Sequence, residues 1–197
     1  MTRQPPALTV LRLHPDDPAT AATWRDTHLT HAKIMEACGG HQTTRILWAR
    51  PNPRLLLVQA DQPVTTIPGT RAAGTACRPV RLDWPPGHQV AFGLIGNPTM
   101  RPADRTTARN RVPLPAAERD GWLLRKLAGA LTVTGLTGSE LGGRTGRRPG
   151  GPVRHVQHAW TGRATVDNPA ALAELIAGGV GPAKGYGCGL LIVRDAP

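Results

Sequence analysis

The sequence predicts an α+β chain built from two tandem βαββαβ units, and three observations predict it. Short β-like runs alternate with helical segments in an order that is traversed twice along the chain. The 197 residues suit two domains of about 90 residues each, near the lower end of independently stable sizes. Apolar residues make up 40%, enough for two real cores, yet no run approaches the roughly 20 apolar residues of a membrane helix.

The first unit, residues 1–96, opens on a β-like run at 8–13, and a polar, proline-bearing loop follows through Pro18. Residues 26–38, DTHLTHAKIMEAC, read as a helix. Thr30, Ile34, Ala37 and Cys38 share one arc, His31 lies at its border, and Gly39-Gly40 stops it. Runs at 45–49 and 55–60 flank the turn residues Pro51-Asn52-Pro53 and read as a hairpin. A strand at 89–95 closes this half, whose second helix is then short or degenerate.

The second unit, residues 97–197, starts with the turn Asn97-Pro98 and a basic loop carrying Arg101, Arg105, Arg109 and Arg111. The helix of PAAERDGWLLRKLAGAL takes its apolar stripe from Trp122, Leu123 and Leu127. Residues 131–136 are strand-like, and 153–160 are expected to pair with 163–166 across Thr161-Gly162. Between them, 138–152 read as a flexible Gly/Arg loop bearing Arg144, Arg147 and Arg148, either an RNA-gripping arm or a solvated surface loop. In DNPAALAELIAGG, Asp167 or Asn168 caps a helix, Pro169 suits its first turn and Gly178-Gly179 ends it. A last strand spans 190–193. Both halves therefore read as ferredoxin-like, RRM-like domains, although no sequence repeat is visible.

Charge narrows the function class. Lys and Arg total 24 against 13 Asp and Glu, a net charge of +11. The resulting pI of about 11.3 is that of a polyanion binder, with nucleic acid as the leading partner. The N-terminal apolar run is too short for a secretory signal, which points to the cytoplasm and to no membrane association. Cys38, Cys77 and Cys188 are odd in number and lack CxxC spacing, so they suggest buried thiols and neither a disulfide framework nor a zinc site.

Two motifs carry chemistry. The ending GVGPAKGYGCGLL places glycines at Gly179, Gly181, Gly185, Gly187 and Gly189, where backbone N–H groups can approach a phosphate closely. It is no Walker loop, because Lys184 lies inside the run, and no Rossmann loop, because no crossover follows. A tight turn closing the domain is the plainer alternative. His28 and His31 stand three apart, about 60° apart on a helix, so both can face one phosphate. Lys33 follows closely but points away from His31 on the wheel, as a phosphate contact or a solvated lysine. Arg125-Lys126 read better as solvating their helix, while Tyr186 either stacks on a base or packs the loop.

The glycine-rich ending resembles the CasE family of CRISPR repeat-processing proteins. The resemblance runs upstream through ALAELIAGG, RVPLPAAERDGWLLRKLAGA and FGLIGNP to DTHLTHAKIMEAC, and so spans nearly the whole chain. It implies two ferredoxin-like domains and a metal-independent endoribonuclease without cofactor. Such an enzyme binds the hairpin of CRISPR repeat RNA and cleaves it by 2′-hydroxyl attack, leaving a 2′,3′-cyclic phosphate. It also implies that the protein stays on its product with the other subunits of a type I-E surveillance complex. The family's helix-borne catalytic histidine matches His31, and the family tyrosine three residues earlier is replaced by His28. The candidate RNA contacts are Lys33, Arg144, Arg147, Arg148, Lys184 and the five glycines. A non-catalytic RNA-binding protein is the alternative, but with 4% aromatic residues the chain has few bases' worth of stacking surface.

Overall fold

The computed structural model describes residues 5–40, 45–101, 111–148 and 151–197, leaving aside the side chains of 144–148 and 151–154. Arg105 and Arg109 of the expected basic loop lie outside the described residues. Two four-stranded antiparallel sheets organise the chain.

The first sheet joins β1 (Ala7–Leu13), β2 (Leu47–Asn52), β3 (Leu55–Ala60) and β4 (Ala72–Pro79) in the order β2-β3-β1-β4. That is the ferredoxin-like strand order. Between β1 and β2 the chain forms α1 (Pro18–Arg25) and α2 (Thr27–Ala37). The sequence reading has a loop up to Pro18 and misses α1, although Asp17 caps it by accepting the Thr20 N–H at 2.8 Å and Pro18 occupies its first turn. Extended Asp26 then separates the two helices and caps the second, accepting the N–H groups of His28 at 2.7 Å and Leu29 at 3.0 Å. Thr27, Thr30 and Ile34 bury one stripe of α2, and the Thr30 hydroxyl ties it to α1 by donating to the Thr23 carbonyl at 2.9 Å. No helix forms between β3 and β4, as the degenerate second helix anticipates.

The second sheet has the order β10-β5-β9-β8, from β5 (Gln89–Gly96), β8 (Leu131–Arg148), β9 (Gly151–Val166) and β10 (Leu191–Asp195). The sequence reading gives β5 to the first half; it instead pairs with β10 and β9, so the sheets divide between Pro79 and Gln89 rather than at residue 96. With α3 (Arg119–Leu127) after β5 and α4 (Pro169–Gly178) after β9, this half is a complete βαββαβ unit. A two-strand ribbon, β6 (Thr99–Met100) with β7 (Val112–Pro113), precedes α3.

Two expectations in this half are overturned. Residues 138–148 and 151–152 are not a loop, because β8 and β9 pair up to Arg148 opposite Gly151, with register shifts at Val133/Gly135 and Glu140/Gly142, in a long hairpin whose backbone groups satisfy one another. Nor do Thr161-Gly162 turn the chain. Gly162 sits opposite Phe92 within the sheet, and a Cβ there would come 2.5 Å from the Phe92 ring, so the aromatic occupies the space the glycine leaves. The cysteines also differ from expectation, since Cys188 is buried but Cys77 is exposed.

Each half has its own core, around Leu11, Ile34, Leu56 and Val58 in the first and Leu123, Trp160, Leu172 and Ile176 in the second. A third cluster joins them: Leu8, Leu47 and Ala49 meet Ile95, Cys188 and Leu190. Full burial of an aliphatic side chain is worth about 1.5–3 kcal/mol, so this seam holds the halves in a fixed relation. Gln59 adds a buried bond across it, donating to the Ile176 carbonyl at 2.9 Å. Among the described residues no helix is long and apolar enough to cross a membrane.

Candidate active site and nucleic-acid interface

The seam brings α2 of the first half against the glycine-rich segment of the second. Within that segment Lys184, Gly185 and Tyr186 form a single 3-10 turn. A Cβ at Gly185 would stand 3.4 Å from His31 Nε2, so the turn lies directly against the imidazole and the absent side chain leaves that nitrogen room. His31 is half-buried, at the border of the packed stripe, as its helical position predicts. His28 is exposed one turn earlier on the same side of α2.

The other four glycines have packing reasons. A Cβ at Gly179 would strike Leu47 at 2.7 Å, at Gly181 Trp122 at 2.7 Å, at Gly187 Trp48 at 2.8 Å, and at Gly189 the Val180 carbonyl at 2.7 Å. The segment is thus pressed onto β2 and α3 and pinned by two backbone bonds, Gly189 N–H to the Ile95 carbonyl at 2.7 Å and Val180 N–H to the Gly189 carbonyl at 2.8 Å. The segment is a tightly packed closing turn, and at Gly185 it opens onto His31.

Lys184 folds back so that its Nζ donates to the Gly181 carbonyl at 2.7 Å. Partial burial holds its ammonium below the ordinary lysine value, and the positive charges of Arg45 and Lys126 lower it further. Lys33 pairs with Glu36 along α2 at 3.3 Å. The side chains of Arg144, Arg147 and Arg148 lie outside the described residues, but their backbone forms the outer part of β8, a strand that packs on α2. Tyr186 packs within the protein, its ring 4.0 Å from that of His155.

Sequence reasoning misses Gln157, which lies on β9 and donates to the Tyr186 carbonyl at 2.9 Å, tying the glycine-rich turn to the hairpin. Nothing in the local sequence marks it, since its partner lies 29 residues away. Asp26 was legible as the residue opening the helix, and its carboxylate fixes the first turn on which His28 stands.

Comparison with known proteins gives concordant results. The sequence model of the family described as "CRISPR associated protein" matches residues 8–195. The CRISPR system Cascade subunit CasE of Escherichia coli K-12 is 31% identical over 150 residues, which cover 70% of this chain and 72% of that protein. Thermus thermophilus Cse3, bound to an RNA representing a pre-cleavage complex, superposes with a TM-score of 0.75 at 25% identity, covering 97% of this chain and 100% of the other. The CRISPR-associated protein Cas6e of E. coli K-12 gives 0.72 at 24% identity, covering 96% and 100%. The family match over almost the whole chain, together with the identity to the E. coli subunit, means that this chain belongs to the CasE family of CRISPR-associated proteins.

Proposed function

We propose that the chain is a metal-independent endoribonuclease that binds the hairpin of CRISPR repeat RNA and cleaves it beside the stem. The observation that carries this reading is the juxtaposition of His31, on a helix of the first half, with the Gly185 turn and Lys184 of the second. Solved relatives described as CRISPR endoribonuclease Cse3 bound to RNA, and others within a CRISPR RNA-guided surveillance complex, support both the activity and a place beside other type I-E subunits. Cytoplasmic location agrees with such partners.

The chemistry follows from the arrangement. The 2′-hydroxyl of the nucleotide before the cut attacks the adjacent phosphorus, the 5′-oxygen of the next nucleotide leaves, and the products carry 2′,3′-cyclic phosphate and 5′-hydroxyl ends. A base must take the 2′-hydroxyl proton, an acid must protonate the leaving oxygen, and fixed positive charge must meet the phosphorane. His31 serves as acid or base, with His28 its candidate partner. Lys184 and the arginines of the hairpin supply charge, and the glycine-rich turn admits the phosphate to within reach of the imidazole.

Incubating the protein with its own repeat RNA in EDTA tests this. Cleavage is expected, and a deoxyribose before the cut should abolish it while leaving binding intact. Activity that disappears on chelation and returns with a divalent ion would overturn the mechanism.

A further inference from the structure

Three cations from separate parts of the chain converge beside the Gly185 turn. The glycine-rich segment lies across Leu47 of β2 through Gly179 and across Trp122 of α3 through Gly181. Arg45 precedes Leu47 by two residues, and Lys126 follows Trp122 by four, one helical turn along the same face. Lys184, held to the Gly181 carbonyl at 2.7 Å, therefore sits in the neighbourhood of both. Their charges are felt there, since Arg45 and Lys126 are the two groups that act electrostatically on the Lys184 ammonium.

Among the described residues Lys33, Arg81 and Arg119 each have a carboxylate partner, whereas no salt bridge includes Arg45, Lys126 or Lys184. Like charges gathered without an acid oppose folding, and a bound anion removes that opposition. Lys184 is also the chain neighbour of Gly185, so an anion held here lies next to the one facing His31.

We propose that Arg45, Lys126 and Lys184 form one binding site for a backbone phosphate of the RNA strand, adjoining the phosphate that is cut at His31. The site deepens the endoribonuclease reading and rests on it. It gives α3 a role beyond solvation and makes the segment leading into β2, α3 and the glycine-rich turn jointly responsible for the strand's path.

The test is the salt dependence of repeat-hairpin binding by the full chain. Replacing all three with glutamine removes the charge that neutralises one phosphate and should lower the log–log slope by about 0.7 to 0.9, so that between 50 and 200 mM salt the wild type loses about 3-fold more affinity than the variant. Arg45→Gln with Lys126→Gln, both exposed and leaving the turn intact, should lower the slope by a part of that amount. A control triple, Arg12→Gln, Arg78→Gln and Arg194→Gln, removes as much charge from exposed positions on β1, β4 and β10 and should leave the slope unchanged. An unchanged slope in both the triple and the double variant, or an equal loss in the control, overturns the site while wild-type cleavage still upholds the enzyme. A wild type that neither binds nor cuts the hairpin overturns the endoribonuclease reading first.

Discussion

The two halves share a strand order but not a completeness, and the difference separates their tasks. The second half is a full βαββαβ unit with α3 and α4 covering its sheet, a tandem-ring contact between Trp122 and Trp160 at 5.8 Å, and the larger core. The first lacks its second helix and splits its first into α1 and α2 at Asp26. Its core takes Leu131, Trp160, Ala164 and Val166 from the inner part of the β8–β9 hairpin and Val180 from the closing segment. The leaner half contributes a short capped helix that presents His31. Neither half holds the site alone, so the chemistry depends on the seam of Leu8, Leu47, Ala49, Ile95, Cys188 and Leu190.

The strongest way to break this division is at His31. His31→Ala is expected to lower single-turnover cleavage by about 10² to 10⁴-fold, the usual worth of a general acid or base, with little change in hairpin affinity. If His28 stands in for the family's tyrosine, His28→Ala should also slow the chemical step, and His28→Tyr should retain activity. A His28→Ala enzyme at the wild-type rate makes His28 a bystander. Normal cleavage by His31→Ala would remove the catalytic assignment and favour a non-catalytic RNA-binding protein.

A second comparison lies within the glycine-rich turn, between the glycine that faces the site and one that faces the core. Gly187 has φ 78° and its missing Cβ lies 2.8 Å from the Trp48 ring. Gly187→Ala should therefore lower stability by about 1–3 kcal/mol in urea unfolding, through overpacking and a backbone that alanine resists. Gly185 has no such constraint, and a methyl there would fill the space beside His31 Nε2. Gly185→Ala should leave the urea midpoint unchanged and slow cleavage by up to about 10²-fold, as misplacing a reacting phosphate does. If the two variants behaved alike, the turn would have one role and not two.

Much of this was legible in the sequence, and what was not has physical reasons. The α2 helix, the β2–β3 hairpin and α4 with its Asn168 cap were readable because apolar spacing, turn residues and cap chemistry agree locally. The long β8–β9 hairpin was not, because its glycines signal a loop unless their neighbours are known. Gly138 shows why: a Cβ there would meet His158 Nε2 at 2.6 Å and Asp120 Oδ1 at 3.0 Å, both remote in sequence. Strand β5 was found but assigned to the wrong sheet, since periodicity names a strand and not its partners. The same limit hid Gln157 and the gathering of Arg45 and Lys126 about Lys184, which depend on contacts between residues remote in sequence.

The smallest expected effect concerns His158 and sharpens the claim that the second half is the firmly packed one. His158 is buried on β9, its ring 4.4 Å from that of Trp160, whose Nε1 donates to Asp120 Oδ1 at 2.7 Å. Burial lowers its pKa and the Arg119 guanidinium lowers it further, while the nearby Asp120 and Glu140 carboxylates pull the other way. The folded pKa therefore lies below the unfolded value of about 6.5. Between those two values the unfolded chain holds a proton that the folded chain gives up, so stability is full above about pH 6.5 and declines as pH falls toward the depressed value. Urea midpoints measured from pH 8 to pH 5 should fall in that window for the wild type, and His158→Gln should flatten the decline by at most one proton. A decline of the same steepness in the variant would mean that His158 titrates as it does in the unfolded chain, and that this part of the core admits water.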